Sequence, residues 1–235
     1  MPPDGAAKGG NALKIRFGKD ATQFSRDLDT TRASSLDDCI ARLEDALAEG
    51  WCGFTGTVVP KDLASPKGVP TAYVMRPFEA KLAYNGKSWM TLPLEVGRNE
   101  IGDADEPDMV SSSKAAAILE KLSFPAPGPA PCMRLERQIV QKFHTASSAG
   151  GERAHDLIDL QIAVSDAGID YAKARIACIR PFAYKAEPEC PPTISKGESR
   201  DSLYAAQAAG LDVLPSVDDA VVWANTLIAR IEESC

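Results

Sequence analysis

Gly9-Gly10-Asn11-Ala12-Leu13 and, further along, Phe24-Ser25-Arg26-Asp27-Leu28-Asp29 are the stretches whose reading decides the fold. Asp27 and Asp29 are two residues apart. On a strand, that spacing turns both carboxylates to one face and Leu28 to the other. Two like charges on one face repel unless a cation sits between them. A hard divalent ion such as Mg²⁺ answers this need, held by one or two carboxylates and by substrate phosphate oxygens. The preceding glycines allow backbone N–H groups to approach a phosphate at a helix start. Leu13, Ile15 and Phe17 alternate as a strand does, whereas a phosphate cradle calls for a helix there, and periodicity alone leaves both open.

Composition narrows the classes around this segment. The chain has 235 residues, 44% hydrophobic and 25% charged, which is the balance of a globular protein with a real core. No stretch approaches the roughly 20 apolar residues of a membrane span. The N-terminus lacks a basic and apolar leader pattern, so a cytoplasmic location is expected. Twenty-six basic against 33 acidic residues leave a net charge of −7. That disfavours a surface coated by nucleic acid but permits a local basic groove. Six cysteines form no CxxC pair and only His144 and His155 are present, so a structural zinc site has little to draw on.

Pattern along the chain divides it near residue 110. Ser34–Glu49 reads as a helix, with serine caps ahead of it, acids in its first turn and Gly50 to stop it. Phe54–Val59, Glu79–Tyr84 and Lys87–Val96 are β-prone, and Asn85-Gly86 joins the last two as a type I′ hairpin signal. Pro93 suggests an edge or a bulge. From Ser111 the pattern is helical over 112–123, 133–148, 152–166, 170–180 and 216–233. The expected architecture is α+β: residues 1–110 as a small mixed unit and 111–235 as a helical one.

Two later positions stand out. Leu92, Leu94 and Val96 share a strand face, so Glu95 points the other way with Thr91, and it reaches the Asp27/Asp29 face if the hairpin pairs beside that strand. Lys142 falls in the stripe Leu135, Ile139, Lys142, Ala146. An ammonium there calls for a phosphate or carboxylate partner, unless it snorkels out. Asp156 and Asp159 lie three apart on one helix.

Taken together, these segments resemble the AbiEii-type nucleotidyltransferases, toxin components of type IV toxin–antitoxin and phage-defence systems within the polymerase-β-like superfamily. The glycine and D-x-D segments resemble the family's first motif, Glu95 its third carboxylate, and Lys142 its helical lysine. Arg153-Ala154-His155-Asp156-Leu157-Ile158-Asp159-Leu160 resembles the R-x-x-D-x-x-D-L helix that follows. Asn11 stands where the family commonly has Thr or Ser. Only eight residues precede Gly9, and Met1–Lys8 holds no apolar run, so no strand is expected ahead of the glycines.

The resemblance implies a polymerase-β-like nucleotidyltransferase core with a mixed sheet, followed by a helical domain. It implies Mg²⁺ or Mn²⁺ held by Asp27, Asp29 and Glu95, with Gly9, Gly10, Ser25 and Lys142 on the nucleotide and Asp156 orienting or neutralising Lys142. The implied reaction moves a nucleotidyl group from a nucleoside triphosphate (NTP) to RNA, tRNA above all, blocking translation, and a cognate antitoxin is an implied partner. Basic residues in 1–32 (Lys8, Lys14, Arg16, Lys19, Arg26, Arg32) and in 171–185 (Lys173, Arg175, Arg180, Lys185) are candidate contacts for RNA phosphates. A protein or small-molecule hydroxyl acceptor is one alternative. A catalytically inactive remnant that binds RNA or an antitoxin is the other.

Overall fold

The computed structural model describes residues 5–18, 22, 27–63, 74–99, 102, 105–147, 153–185, 192–197 and 200–234. Packing divides the chain into two compact units, Met1–Arg16 with Phe24–Met133, and Phe17–Gln23 with Arg134–Cys235. The architecture is α+β, with a mixed sheet in the first unit and helices in the second.

The sheet order is β3-β4-β5-β2-β1-β7-β6. Its strands are β1 (Gly5–Ala7), β2 (Leu28–Arg32), β3 (Phe54–Pro60), β4 (Arg76–Tyr84), β5 (Lys87–Arg98), β6 (Asp108–Val110) and β7 (Ala130–Cys132). β2 pairs parallel with β5 and antiparallel with β1, while β1 pairs parallel with β7. Asn85 (φ 48°) and Gly86 (φ 74°) turn the β4–β5 hairpin, both in the left-handed region that a type I′ turn demands. Pro93 sits one residue before Leu94–Arg98, the stretch of β5 paired with β2, and lies opposite Glu79 of β4.

The strand β1 corrects the expectation of no strand before Gly9. Gly5, Ala6 and Ala7 are all buried, paired to β2 on one side and β7 on the other. Small residues carry no β-branched signature, and burial between two neighbours rather than propensity makes them a strand. The expected division near 110 also moves. Helix α3 (Ser113–Lys121) and strand β7 belong to the first unit, because β7 is hydrogen-bonded into the sheet beside β1 and packs Cys132 against Ala7.

Helix α1 (Gly9–Phe17) settles the ambiguous alternation in favour of a helix. Ala12 and Leu13 are its buried residues, and Ala12 packs with Ala7 and Cys132. Helix α2 (Leu36–Glu49) begins where expected: the Ser35 hydroxyl accepts the Asp38 N–H at 3.1 Å and donates to the Asp38 carboxylate at 2.6 Å. Its apolar face buries Cys39 and Leu43 against Val58, Phe78, Leu94 and Val96. The opposite face of β5 is therefore left to Glu95 and Gly97.

The second unit contains α4 (Leu135–Ser147), α5 (Ala154–Ala167), α6 (Tyr171–Lys185), α7 (Arg200–Ala208) and α8 (Val217–Glu233). Helix α7 falls outside the helical stretches expected from the sequence. It is anchored by Tyr204, whose hydroxyl donates to the Leu214 carbonyl at 2.8 Å and accepts from the Gln161 amide at 3.0 Å. Ile139, Val140 and Phe143 of α4 and Leu157, Ile158 and Leu160 of α5 are buried. Arg200 is fully buried and donates to the Ser195 carbonyl at 2.6 Å and the Ala146 carbonyl at 3.2 Å. Among the described residues no helix is long and apolar enough to cross a membrane.

Candidate active site

Parallel pairing of β2 with β5 puts Asp29 directly beside Glu95. In a parallel pair, residues in register share a face, so the two carboxylates stand side by side. Asp27 lies exposed two residues before Asp29, at the mouth of the same strand. The Glu95 carboxyl is pushed above its ordinary value by burial, and then by the charges of Asp29 and Asp27, while Lys8 pulls it down. The three carboxylates are thus electrostatically one site.

The turn from β1 into α1 is built onto that site. The Lys8 N–H donates to the Asp29 carbonyl at 3.0 Å, and the Asn11 amide donates to the Asp27 carbonyl. Gly9 has a φ of 60°, and a Cβ there would stand 2.8 Å from an Asp29 carboxylate oxygen. Only glycine meets both conditions, so the helix start can lie against the acidic face. Gly10 follows as the second residue of α1. Ser25, the remaining expected phosphate contact, lies outside the described residues.

Among the described residues no three His, Cys, Asp or Glu side chains converge as a ready-made metal cage. Two adjacent carboxylates with a third at the strand mouth suit instead the open mode of Mg²⁺, which retains waters and takes substrate oxygens as ligands. Burial first and the two aspartates second raise the Glu95 carboxyl, and positive charge on this face, such as that of Lys8, opposes the lift. The donor set fits a hard divalent ion.

Lys142, Asp156 and Arg153 come together in the second unit, and Asp159 joins them. The Lys142 ammonium lies 2.7 Å from Asp156 and 2.6 Å from Asp159. Arg153 Nε is 2.9 Å from the other Asp156 oxygen. The Lys142 side chain is 14% exposed and that of Asp156 is fully buried. Burial opposes charge on Lys142, yet Asp159 and Asp156 outweigh it and hold its pKa above the usual value. Burial likewise works against the Asp156 carboxylate, but Lys142, Arg153 and His155 hold it below its usual value. Both members of the pair are therefore charged. The partner of the lysine in the apolar stripe is a pair of carboxylates, and Asp159 serves alongside Asp156.

Several basic residues counted as RNA contacts are engaged within their own unit. Arg16 donates to Asp108 at 2.6 Å and to the Met133 carbonyl at 2.7 Å. Lys173 pairs with Asp170 at 3.1 Å, and Arg175 donates to the Ser234 carbonyl at 3.2 Å. The acid-free window 171–185 stops one residue short of Asp170.

Two residues at the carboxylate face were not singled out by their sequence context. Lys8 was only one of several nearby cations, although it immediately precedes the glycine pair. Gly97 lies inside β5, and a glycine within a strand often marks a close approach by another group. A Cβ at Gly97 would stand 2.7 Å from the Lys8 ammonium.

A solved structure shares this fold. The structure of MenT4, a nucleotidyltransferase toxin of Mycobacterium tuberculosis H37Rv, is similar over 98% of this chain and 76% of its own, with a TM-score of 0.60 at 14% identity. The antibiotic-resistance factor ANT(2'')-Ia aligns over 77% of this chain and 83% of its own, with a TM-score of 0.40 at 18% identity. No curated protein sequence matches the chain significantly. The family model described as "Nucleotidyl transferase AbiEii toxin, Type IV TA system" matches residues 7–221, from β1 into α8. The chain belongs to the AbiEii nucleotidyltransferase toxin family of type IV toxin–antitoxin systems.

Proposed function

We propose that this protein is a metal-dependent nucleotidyltransferase that moves a nucleotidyl group from an NTP to an RNA acceptor, tRNA foremost, and so arrests translation in the cytoplasm until a cognate antitoxin relieves it. The observation that carries the reading is the register of Asp29 with Glu95 across β2 and β5, with Asp27 at the strand mouth and Gly9 against Asp29. Asp27, Asp29 and Glu95 would hold Mg²⁺ or Mn²⁺. A divalent ion bound there supplies Lewis-acid charge to the attacking and leaving oxygens of an in-line displacement.

The chain's own residues supply the rest. The Gly9 and Gly10 backbone and the start of α1 present N–H groups to phosphate oxygens. Ser25 is the further hydroxyl donor proposed for the phosphates. The acceptor hydroxyl oxygen bonds to the α-phosphorus as the α–β phosphoanhydride breaks and pyrophosphate leaves. Glu95 favours loss of the hydroxyl proton. Lys142 is proposed to neutralise the charge that gathers on pyrophosphate, and Asp156 to keep its ammonium charged and aimed.

The test is transfer of label from each of four α-labelled NTPs to total tRNA with Mg²⁺, with the Asp27→Ala/Asp29→Ala variant in parallel. RNA labelled by the parent and not by the variant supports the reading, and the best NTP names the reaction. Label on protein alone moves the acceptor to a protein hydroxyl. A folded parent that labels nothing overturns the enzymatic reading in favour of an inactive RNA- or antitoxin-binding remnant.

A further inference from the structure

Lys8 leaves the end of β1 and reaches across β2 to β5. Its ammonium stands above Gly97, where a Cβ would approach it to 2.7 Å. Gly97 and Glu95 are two apart on β5 and share a face, and Thr31 and Asp29, their partners on β2, share it too. The ammonium therefore sits on the carboxylate face. Its charge acts on Glu95 there, opposing the lift that burial and the two aspartates give that carboxyl. The same residue's N–H holds the Asp29 carbonyl at 3.0 Å, and Gly9 and the start of α1 follow it directly. One flexible cation is thus placed beside an acidic cluster and the start of α1.

We propose that Lys8 is a ligand of the nucleotide's triphosphate, stationed over the carboxylates in the space that Gly97 leaves and transferred to the phosphate oxygens when the nucleotide enters. This rests on the nucleotidyltransferase reading above. Three carboxylates carry more negative charge than one ammonium balances, so Lys8 is their counter-ion while the site is empty. A nucleotide arriving with a divalent ion brings its own positive charge to those carboxylates and a polyphosphate beside them. The ammonium then gains more from the phosphates, because a strongly hydrated point charge on a four-carbon stem changes partners at little steric cost. Gly97 is the device that makes room. A methyl group there meets the flexible end of Lys8, with the Thr30 carbonyl oxygen 3.3 Å away, so Gly97→Ala displaces the ammonium without removing its charge.

The experiment is calorimetric titration of the full chain with magnesium tripolyphosphate and with four α,β-methylene NTPs. The proteins are the parent, Lys8→Met, Lys8→Arg and Gly97→Ala, each followed by a thermal melt. Loss of one charge-assisted phosphate contact weakens binding by about tenfold or more. Lys8→Met is expected to show that loss, with Lys8→Arg within about threefold of the parent on the same grounds, while Gly97→Ala, which crowds only the place the ammonium leaves, is expected to bind at least as tightly as the parent. A lysine that serves only as a counter-ion predicts a changed melt with unchanged affinity for every probe, and that result overturns the proposal while leaving the nucleotidyltransferase reading intact. So does a loss of about tenfold in a folded Gly97→Ala, because it would mean that the ammonium stays over Gly97 when the nucleotide binds. A folded parent that binds none of the probes overturns both.

Discussion

At the residue scale, the carboxylate face is a place where stability and function oppose each other. Glu95 is half-buried beside two aspartates, and its pKa is raised. A raised carboxyl pKa means the folded protein binds a proton more readily than the unfolded chain, so the site costs stability at neutral pH and less as pH falls. Glu95→Gln is therefore expected to raise the Tm of the metal-free protein at pH 7. The gain should shrink as pH is lowered through the carboxyl's titration, which melts across a pH series measure. Asp29→Asn removes a second negative charge from the same face. It should leave the metal-free fold at least as stable while cutting nucleotidyl transfer by about a hundredfold or more, the scale of losing one fixed electrostatic group. Equal activity in that variant would remove Asp29 from the catalytic set.

At the element scale, α4 and α5 are joined by charge as well as by apolar packing. Lys142 bridges Asp156 and Asp159 with little exposure, and removing one partner of such a pair costs about 3–5 kcal/mol because the other charge stays buried. Lys142→Met and Asp156→Ala are each expected to lose that much in urea unfolding. The pH dependence has two edges. Asp156 lies below its usual value, so its contribution is complete above about pH 4 and lost as pH falls below that. Lys142 lies above its usual value, so its contribution is complete below about pH 10 and lost as pH rises past it. Helix α2 offers a smaller test: Ser35→Ala removes the hydroxyl that caps Asp38 N–H and should cost about 1 kcal/mol, read from the same unfolding curves.

At the scale of the whole molecule, the net charge of −7 bears on the proposed RNA acceptor. Arg16, Lys173 and Arg175 are held by internal partners, which leaves fewer of the basic residues in 1–32 and 171–185 to displace counterions from a phosphate backbone. The salt dependence of tRNA binding should accordingly be shallow, with a slope of log K on log salt no steeper than about −4. A steep slope measured by filter binding would show a larger basic surface than this charge distribution provides.

Local chemistry alone determined the capped helix at Ser35, the Asn85-Gly86 hairpin, most of the helices after Ser111 and the family to which the motifs belong. Each of these depends on neighbours a few residues apart, where spacing and turn chemistry decide. Tertiary structure decided what depends on neighbours far along the chain. Gly5-Ala6-Ala7 becomes a strand because β2 and β7 close on both sides of it, and no propensity of small residues announces that. The division into units falls at Met133 because β7 joins the sheet, although the stretch before it reads as helix and loop. The spacing of Asp27 and Asp29 only suggested a shared face, and Asp27 lies just ahead of β2, while the β2–β5 register alone told that Glu95 stands beside Asp29. Lys142 in an apolar stripe announced the need for a partner. Which carboxylates answer it was settled by helix packing, since ion pairs between elements are fixed by three-dimensional approach and leave no period in the sequence.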